Sequence, residues 1–395
     1  MPINQNTSNM KTISANVHLT HNCNLRCTYC FTGDKFGAGM SKQVADQTVG
    51  FCIEQAQQSN ADHLQLIFFG GEPLMKIDLL CWMLDQARQR APQLRITSKL
   101  STNGILLTDS VISRLAERGV YVSISLDGDP EVQSHQRPDV NGRDVSQKLD
   151  EAIDRLLRWN PAVSVNCVVT PESAARLDQS VRWIHERGFS YIQTALDYSG
   201  DWRREHLQEL EQAYQRLAQW YYNVTVAGSK FYLSCFDQRI QSWVRGPLES
   251  SERCQIGIRQ FSISPSGRLF PCVQFVREDN EDEFVLGDVF SGFQEDKRSR
   301  LSACSEKEKP ECGGCQLIDR CSSWCACINW QSTGELNKAS PLVCEHERIL
   351  MPIADAVANR LWKRRDSMFL HKQYNPAFPV LSFAEDILIR RSGEE

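Results

Sequence analysis

Apolar and polar positions along residues 13–226 follow two alternating periods. Short runs rich in β-branched and aromatic residues recur at Ile13–Leu19, His63–Phe69, Leu94–Leu100, Val120–Leu126, Val163–Val169 and Phe189–Ala195. Longer amphipathic stretches separate them: Ser41–Gln58, Leu79–Arg90, Asp109–Glu117, Ser146–Trp159, Pro171–Arg187 and Arg203–Tyr222. The first set predicts strands and the second predicts helices. Ser41 ahead of one run and Pro171-Glu172 opening another are helix-start signals. Six strand–helix repeats imply a parallel sheet with helices packed outside it. Right-handed crossovers permit an open or partly closed barrel, and periodicity does not separate that from a flat doubly wound sheet.

The texture changes near Gly228. From there to about residue 350 the chain is rich in Cys, Gly, Ser and Pro, with few long periodic helices. Such a segment buries little apolar area, so a metal is expected to hold its shape. The acidic run Glu278–Glu283 reads as a solvated loop. Residues 353–395 resume with one helix-like stretch and end in charged residues.

Charge and composition remove several classes. The 395 residues carry 44 Lys and Arg against 49 Asp and Glu, a net charge of −5. No excess of cation is available to neutralise phosphates, which argues against a nucleic-acid partner. No apolar run reaches the length of a membrane span, and the N-terminus lacks a basic-then-apolar signal pattern, so a cytoplasmic location is expected. Sixteen cysteines in such a chain favour metal ligation over disulfides.

The cysteines fall into two groups. Cys23, Cys27 and Cys30 form C-x3-C-x2-C directly after the first strand. Three thiolates on one loop can face a single metal centre, one short of the four that close an iron–sulfur cluster. The alternative is a structural zinc knuckle completed by His21. Downstream, Cys254-x12-Gly267-x4-Cys272 precedes Cys312-x2-Cys315-x5-Cys321-x3-Cys325, with Cys344 last. A zinc ribbon would use four of these and leave Cys254, Cys272 and Cys344 unexplained. Cys52, Cys81 and Cys167 fall inside predicted elements and read as small core residues.

The first group, with Tyr29 and Phe31 around its last cysteine, resembles the cluster loop of radical S-adenosylmethionine (SAM) enzymes. Further matches stand at successive strand ends: Gly70-Gly71-Glu72-Pro73, Ser101-Thr-Asn103-Gly104, Ser125-Leu-Asp127-Gly128, Arg137, Asn166 and Leu196. One barrel face at the strand ends is where α/β enzymes place ligands. The resemblance implies a partial (β/α)6 TIM-like barrel over 13–226. It also implies SAM contacts from Tyr29, Phe31, Gly70, Gly71, Glu72, Asn103, Ser125, Asp127, Arg137, Asn166 and Leu196. The glycines are read as letting the backbone approach the SAM amino group, and Glu72 as favouring its ammonium. His135 reads either as shaping that pocket or as a surface residue.

The downstream grammar resembles the SPASM extension of radical SAM enzymes that act on peptides and proteins. This implies a small cysteine-rich domain over 227–350 and a helical tail over 351–395. Carried over, one auxiliary [4Fe-4S] cluster would use Cys254, Cys272 and Cys325. A second would use Cys312, Cys315, Cys321 and Cys344, making three clusters with the SAM-binding one. Sulfatase-maturating members carry another cysteine soon after the first SPASM position, where Ile256–Gln260 has none, and an aspartate where this chain has Val273. The first auxiliary cluster is then left with an open iron, or recruits Cys235, Cys304 or Cys327.

The function implied is a peptide maturase. It would cleave SAM reductively to a 5′-deoxyadenosyl radical, abstract a substrate hydrogen, and install a carbon–carbon or thioether crosslink in a ribosomally made precursor peptide. Formylglycine formation of the sulfatase-maturating type is the alternative, and a non-catalytic iron–sulfur electron carrier the alternative of another class. No general base is legible. The cluster motif begins at residue 23, so leader recognition would fall to the 353–395 tail, an edge strand or a separate leader-binding protein. A flavodoxin- or ferredoxin-type reductant is the expected redox partner.

Overall fold

The computed structural model describes residues 11–247, 256–305, 307, 309–378 and 381. Each predicted strand forms close to its expected place: β1 (Thr12–His18), β2 (His63–Phe69), β3 (Arg95–Thr102), β4 (Val120–Ser125), β5 (Ser164–Val169) and β6 (Tyr191–Leu196). Between them run α1 (Lys42–Gln58), α2 (Ile77–Arg90), α3 (Asp109–Glu117), α4 (Pro130–Gln136), α5 (Ser146–Trp159) and α6 (Leu177–Glu186). Then come α7 (Arg204–Val226), β7 (Tyr232–Leu233), α8 (Ser234–Arg245), β8 (Gln260–Ile263), β9 (Leu269–Phe270), β10 (Gly287–Asp288) and β11 (Gly292–Phe293). Helices α9 (Glu295–Ser305), α10 (Ala326–Thr333), α11 (Pro341–Arg364) and α12 (Ser367–Tyr374) complete the chain.

The main sheet runs in the order β7-β6-β5-β4-β3-β2-β1-β8-β9. Every pairing from β7 to β8 is parallel, and only β8–β9 is antiparallel. β1 to β6 thus lie in chain order with no reversal. Right-handed crossovers of that kind carry their helices to one face, whereas a doubly wound sheet needs a switch point. The edges do not meet: β6 pairs with β7, and β1 pairs with β8 through Ser14–Gln260 to Val17–Ile263.

Side-chain oxygens start several helices. Ser41 accepts from the Val44 amide, Thr108 from Val111, Asp129 from Glu131 and Val132, and Ser340 from Val343. Pro130 and Pro341 follow two of these caps, where a missing N–H costs nothing. One core takes in strands β1 to β6, the helices α1 to α3 and α5 to α8, and the apolar face of α11 (Leu350, Ala354, Val357, Ala358, Leu361). Cys52, Cys81 and Cys167 are buried in it, as expected of small apolar residues.

The structure departs from the sequence reading in four places. Pro171–Arg176 is a 3-10 turn, and α6 begins only after it. α4 was not anticipated, although Asp129-Pro130 carries a start signal. The region after Gly228 holds long helices: α8, and α11, which runs unbroken through residue 350. α8 buries Ser234, Asp237 and Ser242 beside its apolar residues, which blurs its period. Finally, the acidic run is solvated only over Asn280–Glu283. Glu278 accepts from the Asp34 amide (2.9 Å) on the loop after Cys30, and Arg268 donates to the Asp279 carbonyl (2.7 Å).

Candidate active site

The C-terminal ends of β1 to β6 open into a cavity of about 380 Å³. Cys23, Cys27 and Cys30 line it with Tyr29, Phe31, Gly70, Gly71, Glu72, Asn103, Ser125, Arg137, Asn166 and Leu196. Residues that the sequence spreads across seven strand and loop segments therefore share one space.

Gly70, Gly71 and Glu72 have structural roles besides their places on the cavity wall. Gly70 adopts φ +130°, and a Cβ there would lie 2.5 Å from the Thr20 carbonyl oxygen. A Cβ on Gly71 would lie 2.1 Å from that of Asn22. The Gly71 and Glu72 amides donate to those same carbonyls, at 2.8 and 2.9 Å. The glycines thus admit the cysteine loop's backbone, and the approach they permit is between two protein segments. Glu72 is occupied likewise: its carboxylate accepts from the Leu74 and Asn103 amides and the Thr102 hydroxyl, at 2.8–3.0 Å. Burial pushes its pKa upward.

Asp127, expected among the cofactor contacts, is not on the cavity wall. Its carboxylate is fully enclosed beneath Arg137. Oδ2 accepts from Tyr29 Oη (2.5 Å), Gln136 Nε2 (2.9 Å) and Arg137 Nε (2.8 Å). Oδ1 accepts from the Val168 amide (2.9 Å) and an Arg137 terminal nitrogen (3.2 Å). Asp127 therefore sets two wall residues rather than meeting a ligand. α4 supplies Gln136 and, through Gln133, an acceptor for the Asp127 amide. His135, on the other face of α4, is exposed and away from the cavity.

The donor set fits a cluster held by three thiolates. Burial pushes the Cys23 thiol up to about 11 and raises that of Cys27, so metal binding is needed to draw off these protons. Hydrogen-bond donors face the sulfurs: Leu25 N (3.4 Å) and Asn103 Nδ2 (3.8 Å) reach Cys23, and Arg137 Nη1 (3.8 Å) reaches Cys27. Cys30 is opposite in sign; burial raises its pKa, but Lys35 and Thr32 together bring it below the ordinary thiol value. His21, the donor that a zinc knuckle would borrow, stacks on Phe36 at 4.5 Å. Among the described residues no three Cys, His, Asp or Glu side chains converge as a lone metal ion requires.

The cavity's remaining wall comes from elsewhere. Tyr198 and Ser199 follow β6, Gln274 follows Cys272, and Ile328 and Gln331 project from α10. Gln331 donates to Gln274 (2.5 Å) across this wall. None of these was singled out from sequence; the only signal was their nearness to Leu196, Cys272 and Cys325. Tyr198 lies within electrostatic reach of Cys321 and Cys325, and burial raises its pKa.

The downstream cysteines form two neighbourhoods. Cys344, in the first turn of α11, feels the charges of Cys312 and Cys315, and Cys321 feels that of Cys344. Cys272 and Cys325 pack with Phe270, Phe275 and Phe284 around Cys327. Cys254 lies outside the described residues. A buried Arg239–Glu347 pair (2.7 Å), with Ser322 donating to Glu347 (2.7 Å), ties the cysteine-rich loops to α8 and α11.

A three-cysteine loop at the mouth of a parallel sheet defines the class, and the sequence model of the radical SAM superfamily matches residues 17–184, β1 to α6. This part of the chain is a radical SAM domain. The cysteine-type anaerobic sulfatase-maturating enzyme of Clostridium perfringens is 24% identical over 320 residues, 77% of this chain and 85% of its own. The solved structure of native anSMEcpe with bound AdoMet superposes with a TM-score of 0.73 at 21% identity, over 88% of this chain and 99% of that one. Streptococcus suis SuiB, solved with its precursor peptide SuiA, gives 0.60 at 16% identity, over 85% and 76%. At such identities the two structures establish a shared fold.

Proposed function

We propose that the chain is a radical SAM/SPASM maturase that installs a carbon–carbon or thioether crosslink in a ribosomally made peptide. The observation that carries this reading is the single cavity shared by the cysteine loop, the strand-end residues and a wall from the cysteine-rich region. β1 to β6 would form the partial barrel and the region after it the SPASM domain. When bound, a [4Fe-4S] cluster on Cys23, Cys27 and Cys30 and a SAM molecule supply reductive cleavage to methionine and a 5′-deoxyadenosyl radical.

The protein's own part is binding, orientation and exclusion of water. Arg137, fixed by Asp127, offers its cation to a carboxylate, and its guanidinium lies over the Tyr29 ring, 5.2 Å from the centroid. Ser125 and Asn166 face the same space and provide hydrogen bonds for ribose hydroxyls. Gln274 and Gln331 match a peptide's amides, since each offers both a donor and an acceptor. SuiB's recorded precursor peptide supports a peptide occupant here. Two auxiliary clusters would accept the electron left when a bond forms. A cytoplasmic site of action and a flavodoxin- or ferredoxin-type reductant go with this chemistry. Among the described residues no helix is long and apolar enough to cross a membrane.

The sulfatase-maturating reading has the Clostridium perfringens relative in its favour. Against it, Val273 stands where those enzymes carry an aspartate, and Val273 has no proton to exchange. Anaerobic reconstitution with SAM and dithionite tests the enzyme reading: 5′-deoxyadenosine should accumulate with methionine. Iron near twelve per chain, as three cubes require, with no 5′-deoxyadenosine would overturn it. Co-expression with a short open reading frame beside the gene should give a peptide lighter by two hydrogens.

A further inference from the structure

The sequence left the first auxiliary cluster short of one ligand, with Cys235, Cys304 and Cys327 in contention. The fold separates them. Cys235 is packed in the barrel core, where its thiol meets Thr194. Cys304 is half-buried on α9, beside a segment of charged residues. Cys327 is buried to 3% exposure and packs in one apolar cluster with Cys272 and Cys325.

The surroundings suit a cluster. Cys325 stands at the N-cap of α10, where the first amides have no partner within the helix. A negative thiolate is stabilised at that end of a helix. Phe275, Phe284 and Trp330 enclose the three thiols, with ring centroids 4.2–5.2 Å apart, and shield the site from water. All three cysteines are free.

We infer that Cys327 is an iron ligand of the auxiliary cluster held by Cys272 and Cys325, so that Cys325-Ala326-Cys327 supplies two ligands from one helix start. This rests on the auxiliary-cluster reading above. It does not rest on Cys254, which lies outside the described residues. It also replaces the cysteine missing from Ile256–Gln260, and leaves no need for a substrate thiolate at that coordination position.

The test is anaerobic reconstitution of the full chain as wild type, Cys327→Ser, Cys327→Ala, Cys235→Ala and Cys304→Ala. Iron and sulfide are counted, and the reduced clusters are recorded by electron paramagnetic resonance. Wild type should hold about twelve irons, and both Cys327 variants should lose up to about four or show one altered cluster signal. Cys235→Ala and Cys304→Ala should match wild type. Should Cys327→Ala fail to fold, the near-isosteric Cys327→Ser decides, with circular dichroism confirming its fold. A folded Cys327→Ser with wild-type iron and spectrum overturns the inference while leaving the auxiliary clusters standing. Wild type with only about four irons overturns both.

Discussion

The carboxylate of Asp127 accepts from Tyr29, Gln136, Arg137 and Val168 while exposing nothing of itself, so its replacement should act through its neighbours. In Asp127→Asn the buried Arg137 loses its counter-charge, and leaving one partner of such a pair costs about 3–5 kcal/mol. Urea denaturation should show that loss. Titration calorimetry should show SAM binding weakened at least tenfold with the iron content retained. A second residue sets a pH dependence. Burial lowers the pKa of His18 to about 3, and its Nε2 has no hydrogen-bond partner. The folded state therefore refuses a proton that the unfolded chain accepts near pH 6.5. Its contribution to stability is complete above pH 6.5 and declines as the pH falls from there towards 3. Thermal melts of His18→Gln between pH 7 and 4 should fall less steeply than wild type; equal slopes would refute the assignment. At this scale the sequence was most legible where chemistry fixes residue type. Cys23, Cys27, Cys30 and Arg137 were picked out by residue type, and the structure brings them to one cavity. Asp127 was misplaced because a strand end does not reveal that Arg137 folds back over it.

Elements with one apolar face, such as α1, α3 and α5, the first two also capped by Ser41 and Thr108, were read nearly to the residue. The local signal and the tertiary packing agree there. α8 escaped because Asp237 is buried, accepting from Tyr221 (2.7 Å) and the Leu233 amide (2.6 Å), so its polar positions do not mark a solvent face. The strand-end loops were found, but their use was not. Gly70 and Gly71 line the cavity and also let the β2 loop seat against residues 20–22. Gly71→Ala should displace the cysteine loop. Reconstituted protein should then hold about four fewer irons than wild type, with the auxiliary signals kept. Full iron in that variant would show that the two loops adjust independently.

Across the whole molecule, one cavity is walled by both halves of the chain. Gln274 and Gln331 belong to the cysteine-rich region, yet close a space that opens at the ends of the parallel strands. If they hold the peptide, Gln274→Ala and Gln331→Ala should leave SAM cleavage within about twofold of wild type and reduce peptide modification tenfold or more, since lost polar contacts to a substrate cost roughly 1–3 kcal/mol. The ratio of 5′-deoxyadenosine to modified peptide, measured by liquid chromatography, reads this directly. A parallel fall in both would place the two glutamines in SAM binding instead. None of this wall was visible in sequence, because it depends on which distant segments meet.

The pairing of β1 with β8 has a consequence for synthesis. β1 launches the cysteine loop, and among the described residues its outer edge pairs with residues 259–263. At ribosomal rates of 5–20 residues per second, that edge waits on the order of 10–50 s for its neighbour. Throughout this interval an apolar strand offers unpaired backbone to other nascent chains. The cell has reason to hold the emerging chain apart, and to load iron only after the second half has arrived.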